Sequence, residues 1–274
     1  MSSILTNNSA MVALQTLKSV NNNLGQTQNE ISTGKKVATA KDNSAIWAIS
    51  KVMESDVAGF KAVSESLGVG KSTVAVASAG AEKIVKIFEE MKTRVVAATI
   101  DGADQAKLGA EVQAMKDTIT SIIGGSQFNG VNLLNTAGGN IEVLSSIDRA
   151  ADGTLTPGVI TVASVGFEAG LDLTTVNVNT TADAKTSLGA LEALLETAVN
   201  GAAALGASAK RIEQQSDFVG KLTDAMKSGI GVMVDADMEE TSAKLQALQV
   251  QQQLATQSLS IANQAPQSIL SLFR

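Results

Sequence analysis

The chain has 274 residues, 44% hydrophobic but only 3% aromatic, with no histidine, no cysteine and a formal net charge of −6. It therefore lacks the commonest general base, the commonest metal ligand and any thiolate or disulfide chemistry, and no cofactor is expected. The acidic balance leaves no footprint for nucleic acid and no basic cluster for an anionic membrane.

The first residues, Met1 to Asn8, have neither a basic n-region nor a continuous apolar h-region, so no cleavable secretory signal is expected. No apolar run approaches the roughly 18 residues of a membrane-spanning helix. Leu14, Leu17, Leu24 and Ile31 then fall on a 3-4 repeat, with Asn21 and Gln28 filling the remaining seam positions. From Ala45 to about Thr99 the pattern is helical, a rod roughly 80 Å long if uninterrupted. Gly68 and Gly70 are possible weak points in it. Asp101-Gly102 breaks the rod, and Asp104 is placed to cap a second helix that ends at Gly124-Gly125.

Residues 126–181 change character. Ile141-Glu142-Val143 and Val159 to Val162 read as short strands, and Val176-Asn177-Val178 as a weaker third. Asp152-Gly153 and Pro157-Gly158 supply turn signals. Helical patterning returns over 182–228. A final seam runs through Met238, Thr241, Leu245, Leu248, Gln252, Ala255, Leu259 and Ala262.

The expected fold is mainly α, a long antiparallel helical rod with terminal coiled-coil helices and a small insertion rich in β-hairpin. Residues 1–44 and 235–274 would form the two halves of an inner coiled-coil domain, and 45–135 and 182–234 those of a rod domain. Residues 136–181 would form an outward β-rich insertion. The ends are expected at one pole and the insertion at the other.

The two ends match each other. Lys18 and Glu30 are the only charged side chains in residues 1–34, and Lys244 and Arg274 the only ones in 241–274. Segments this weakly apolar cannot fold alone, and segments this weakly charged do not persist as solvated tails. Mutual packing, or packing against another copy, is expected. That points to assembly rather than catalysis.

Apparent catalytic motifs fail on inspection. Gly70-Lys71-Ser72-Thr73 imitates a phosphate loop, but Glu65 stands where that loop needs glycine and no strand precedes it. Asp235, Asp237, Glu239 and Glu240 cluster carboxylates without the spacing of a calcium hand, and helix capping accounts for them better than a metal. Ser32 and Lys35 have Ser-x-x-Lys spacing with nothing else of an acyl-transfer site. No enzyme is expected.

Ile31-Ser32-Thr33-Gly34-Lys35-Lys36-Val37, followed by Ala40-Lys41-Asp42, resembles the N-terminal signature of bacterial flagellins. Gln127-Phe128-Asn129-Gly130 resembles the element after that family's second N-terminal helix. Asp235-Ala236-Asp237-Met238 and Ala262 to Leu272 resemble its C-terminal signature. The resemblance implies a self-assembling filament subunit, secreted through the flagellar type III apparatus with an export chaperone and meeting hook–filament junction and cap proteins. It implies a seam built from Leu14, Leu17, Leu24, Ile31, Leu245, Leu248 and Leu259, with last contacts at Ile269, Leu270 and Leu272. A hook–filament junction protein is the alternative. Two departures stand out. Asp42-Asn43-Ser44-Ala45-Ile46-Trp47 replaces the family's Asp-Asp-Ala-Ala-Gly-Leu. Phe88-Glu89-Glu90-Met91 replaces the Arg- and Leu-rich segment read by the flagellin-sensing receptor, so weak receptor activation is expected.

Overall fold

The computed structural model describes residues 7–150 and 152–272, and their side chains except those of Ala137 and 265–272. The elements in chain order are α1 (Asn8–Thr33), α2 (Ser44–Ala98), α3 (Gln105–Gly125), β1 (Ile141–Arg149), β2 (Leu155–Val162), α4 (Phe167–Gly170), α5 (Thr181–Val234) and α6 (Met238–Leu272). They form two compact units: Asp56–Asp224, and the chain up to Ser55 together with the chain from Ala225 onward. Both α2 and α5 contribute to each unit.

In the 56–224 unit, apolar residues recur along α2 at helical spacing: Val63, Leu67, Val74, Ile84, Phe88, Met91 and Val95 are all fully buried. They pack with Val112, Ile119 and Ile123 of α3 and Leu191, Leu205 and Ile212 of α5 in one continuous core. The side chain of Asp104 caps α3 by accepting from Lys107 N at 3.2 Å. At that end of the unit, Gln105 Nε2 donates to Ala98 O at 3.0 Å and to Thr181 Oγ1 at 3.2 Å, tying three helices together.

Gly68 and Gly70 do not interrupt α2, which runs 55 residues. Gly70 serves a close approach instead. A Cβ there would lie 2.5 Å from Val143 Cγ2, so the hairpin could not seat against α2 with any larger residue.

Strands β1 and β2 pair antiparallel, from Ile141 opposite Val162 to Arg149 opposite Leu155, with an irregularity between Leu144 and Ser146. The turn is the expected one: Ala150 N donates to Thr154 O at 2.9 Å, and Gly153 has φ 86°. Pro157-Gly158, read from sequence as a turn, lies inside β2 opposite Ile147 and Ser146. The edge of a two-stranded sheet tolerates a residue without an N–H donor, which is why proline fits there. The third expected strand, Val176–Val178, does not form. Val176 and Val178 are buried, and Asn177 N donates to Ser187 Oγ at 2.7 Å, so α5 rather than a strand satisfies this segment.

Within the 56–224 unit the hairpin packs against α2 and α5. Leu144 N donates to Ser66 Oγ at 3.1 Å, and Gln215 Nε2 donates to Ser145 O at 2.8 Å. At the tip, Arg149 Nε donates to both carboxylate oxygens of Asp56, at 3.2 and 3.3 Å. Side chains of α2 and α5 thus occupy the outer edge of β1. Burial of Val143, Ile160 and Val162 holds the hairpin down.

Candidate self-assembly surface

Helices α1 and α6 pack against each other and run antiparallel. The register is set at both ends and in the middle. At one end, Lys36 N and Val37 N donate to Val234 O at 2.7 and 3.2 Å, and Ala236 N donates to Gly34 O at 3.0 Å. These bonds form at the Gly34-Lys35-Lys36-Val37 motif, where α1 ends at left-handed Gly34. In the middle, Gln252 Nε2 donates to Asn21 Oδ1 at 2.8 Å. At the other end, Asn7 caps α1 by accepting from Ala10 N, and its Nδ2 donates to Ala262 O at 2.7 Å. Pro266 lacks the N–H that would take the Ala262 carbonyl within α6. The interior proline therefore frees the acceptor that joins the two chain ends.

The seam positions emerge from burial. On α1, Ala10, Ala13, Leu17, Leu24 and Ile31 are half-buried, and Val20 and Thr27 are buried. On α6, Thr241, Leu248 and Ala255 are buried, and Leu245, Gln252, Leu259 and Ala262 are half-buried. Leu14 and Gln28 lie outside this intrachain seam, and Asn21, also exposed, flanks it through its bond to Gln252. Leu14 is 58% exposed. Leu17, Leu24 and Ile31 each have a neighbour three residues on and another four on, and a 3-4 repeat fits either choice. Packing selects β-branched Val20 and Thr27 over the longer polar Asn21 and Gln28. Ile269, Leu270 and Leu272 lie outside the described side chains.

The Asp42-to-Trp47 stretch forms a capped entry into α2. Asp42 Oδ2 accepts from Ala38 N at 3.1 Å and Thr39 N at 2.8 Å, and the Thr39 backbone bond holds its carboxyl below the usual carboxylate value. Asn43 Oδ1 then caps α2 by accepting from Ala45 N and Ile46 N, both at 3.1 Å. Trp47 is half-buried, with Ser50 Oγ bonded to its carbonyl at 2.9 Å.

Of the carboxylates near 235–240, that of Asp237 acts on the backbone. Asp237 Oδ1 accepts from Glu239 N at 2.9 Å and Glu240 N at 3.3 Å, which starts α6. Asp235, Asp237 and Glu240 line a groove of 690 Å³ with Glu30, Lys36, Val37, Asp42 and Ile46. Among the described residues no carboxylate cluster is suited to a metal. Gly70-Lys71-Ser72-Thr73 lies within α2 with Gly70 and Thr73 buried, so no phosphate cradle forms. Helix α5 is long and apolar enough, by composition, to cross a membrane. Leu191, Leu194, Ala198 and Leu205 of that helix are buried in the core of the 56–224 unit.

The seam leaves further apolar surface uncovered. Met11, Val12 and Leu14 of α1 and Val250, Leu254 and Ile261 of α6 are each more than half exposed. On α6 they belong to a second 3-4 row, Ala243, Ala247, Val250, Leu254, Gln257 and Ile261, exposed along its whole length. Sequence reading registered only the first row. The second was visible as a parallel repeat offset by two residues, but nothing in the sequence says which row the chain itself covers.

Comparison with known proteins identifies the family. Residues 4–138 match the bacterial flagellin N-terminal helical region, and residues 188–273 the bacterial flagellin C-terminal helical region. Flagellin FljM of Caulobacter vibrioides is 40% identical over 277 residues, covering 100% of this chain and 99% of its own length. A flagellin of Brucella melitensis is 40% identical over 282 residues, covering 100% of both chains. A crystal structure of Bacillus cereus flagellin aligns with TM-score 0.48 and 22% identity, covering 55% of this chain and 86% of that one. Members of the family polymerise into the extracellular flagellar filament and are structural proteins. The chain belongs to the bacterial flagellins, as a structural subunit of the filament and not an enzyme.

Proposed function

We propose that the α1–α6 pair becomes stable only when neighbouring copies cover its second apolar row, so that folding of the ends and growth of the filament are one step. The observation that carries this reading is the exposed set Met11, Val12, Leu14, Val250, Leu254 and Ile261. Among the described side chains of the pair, burial is confined to a narrow line that includes two threonines and an alanine: Val20, Thr27, Thr241, Leu248 and Ala255. Ordering each residue of two long helices costs about 1–2 kcal/mol, and so thin a seam offsets little of it.

In this reading 1–44 and 235–274 form the inner domain of the filament, 45–135 and 182–234 the rod, and 136–181 the outward part. Leu17, Leu24, Ile31, Leu245, Leu248 and Leu259 hold the pair together, Leu14 meets a neighbouring copy, and Ile269, Leu270 and Leu272 make the last contacts. The subunit leaves the cell through the type III apparatus with its ends unfolded, escorted by an export chaperone, and adds between the junction and cap proteins to serve swimming motility.

Deletion of 260–274 is expected to leave a soluble helical rod that does not polymerise on seeds, checked by negative-stain electron microscopy with circular dichroism. Normal filaments from that truncation would contradict the reading. A full-length protein that caps seeds without extending them would point instead to a junction protein.

A further inference from the structure

Among the described residues, one non-glycine residue has a positive φ: Asn129 at 50°, followed by Gly130 at 81°. Phe128 N donates to Val131 O at 2.9 Å, and Val131 N donates to Phe128 O at 3.0 Å, closing a two-residue turn of the kind that favours Asn-Gly. Both turn residues are exposed, and neither the Asn129 carboxamide nor the Gly130 N–H has a hydrogen-bond partner among the described residues. The chain carries a second Asn-Gly pair in opposite surroundings. Asn200-Gly201 lies inside α5, where Gly201 is buried so tightly that a Cβ would stand 2.3 Å from Val165 Cγ1 and 2.5 Å from Phe167 Cε1.

We propose that Asn129 is a self-modification site, where the subunit is converted with time to aspartate and isoaspartate. The Gly130 backbone nitrogen attacks Asn129 Cγ and loses its proton to solvent. A C–N bond forms, the carboxamide C–N bond breaks, and ammonia departs, leaving a five-membered cyclic imide. Water then opens the ring at either carbonyl. One opening gives aspartate, and the other gives isoaspartate, with the main chain routed through the former side chain. Neither step changes an oxidation state, and water is the only co-reactant.

The reaction needs the pair to leave its turn geometry, which for Asn129 breaks two backbone hydrogen bonds of an exposed loop. For Asn200 it requires opening of α5 against Phe167. Local openings near a loop tip cost far less than openings of a core helix. Both products carry a negative charge where the fresh subunit has none. Isoaspartate also lengthens the main chain by one methylene, which the Phe128–Val131 pairing does not accommodate. It would loosen the link between α3 and the fully buried Leu133 and Leu134. The turn thus records the age of a subunit once it has been made.

The test is incubation of the purified full-length protein in mildly alkaline buffer, with peptide mapping by mass spectrometry able to distinguish isoaspartate. In the native protein, conversion at Asn129 should exceed that at Asn200 by at least about tenfold. In denaturant the two should react at comparable rates. Equal conversion at both positions in the native protein, or faster conversion at Asn200, would overturn the proposal. Asn129→Gly keeps a residue suited to positive φ. It should abolish the conversion of that peptide while leaving the circular dichroism unchanged. Conversion that persists in the variant would overturn it as well.

Discussion

The rod and the terminal pair are both built from long helices, yet the terminal helices carry more Asn, Gln, Ser and Thr, and the two regions differ in what they finish. In the 56–224 unit three long helices, the short α4 and a hairpin converge, and side chains as large as Phe88, Phe167, Met91 and Leu191 reach complete burial. In the terminal pair two helices meet along one line, and among their described side chains only Val20, Thr27, Thr241, Leu248 and Ala255 are buried. The rod is a finished fold. In the proposed reading the pair is half of one, and the exposed second row on α6 is where the other half would attach. Periodicity marks which faces are apolar in both regions. The number of elements meeting at a face decides whether that region is self-sufficient.

Substitutions that divide the two regions sharpen this contrast, and they rank by their effect on melting of the monomer. Phe88→Ala empties a fully buried site in the rod and should lower stability by about 3–5 kcal/mol, read by chemical denaturation. Gly70→Ala places a Cβ against Val143 and should cost about 1–3 kcal/mol, with loss of the hairpin's protection before that of α2. Leu254→Ser removes only exposed apolar surface on α6, so monomer stability should stay within about 0.5 kcal/mol of the parent. The same change should nevertheless block seeded filament growth. A Leu254→Ser protein that elongates normally would break the comparison, because the second row would then have no partner to meet.

The long elements were legible because their signals are local. Asp104 announces α3, the absence of proline lets α2 run from Ser44 to Ala98, and Asp152-Gly153 fixes the hairpin turn. The misreadings share a cause, which is that the deciding partner is remote in sequence. Pro157-Gly158 has turn chemistry but sits in β2, because the opposing strand tolerates it at an edge. Val176–Val178 alternates like a strand, but Ser187 and the core take its groups first. Val20 and Thr27 were hidden beside the more conspicuous Leu14, since the choice between neighbours three and four residues from Leu17 and Leu24 depends on how α6 lies against α1. The Asn7–Ala262 bond required knowing both that the ends meet and that Pro266 leaves a carbonyl open.

Hydrogen–deuterium exchange on monomer and assembled filament, compared peptide by peptide, addresses the central claim most directly. The account predicts strong protection of the 56–224 helices in both states. For α1 and α6 it predicts little protection in the monomer and a large gain in the filament. Equal protection of α1 and α6 in the two states would mean that the narrow seam suffices alone, and would contradict coupled folding and assembly.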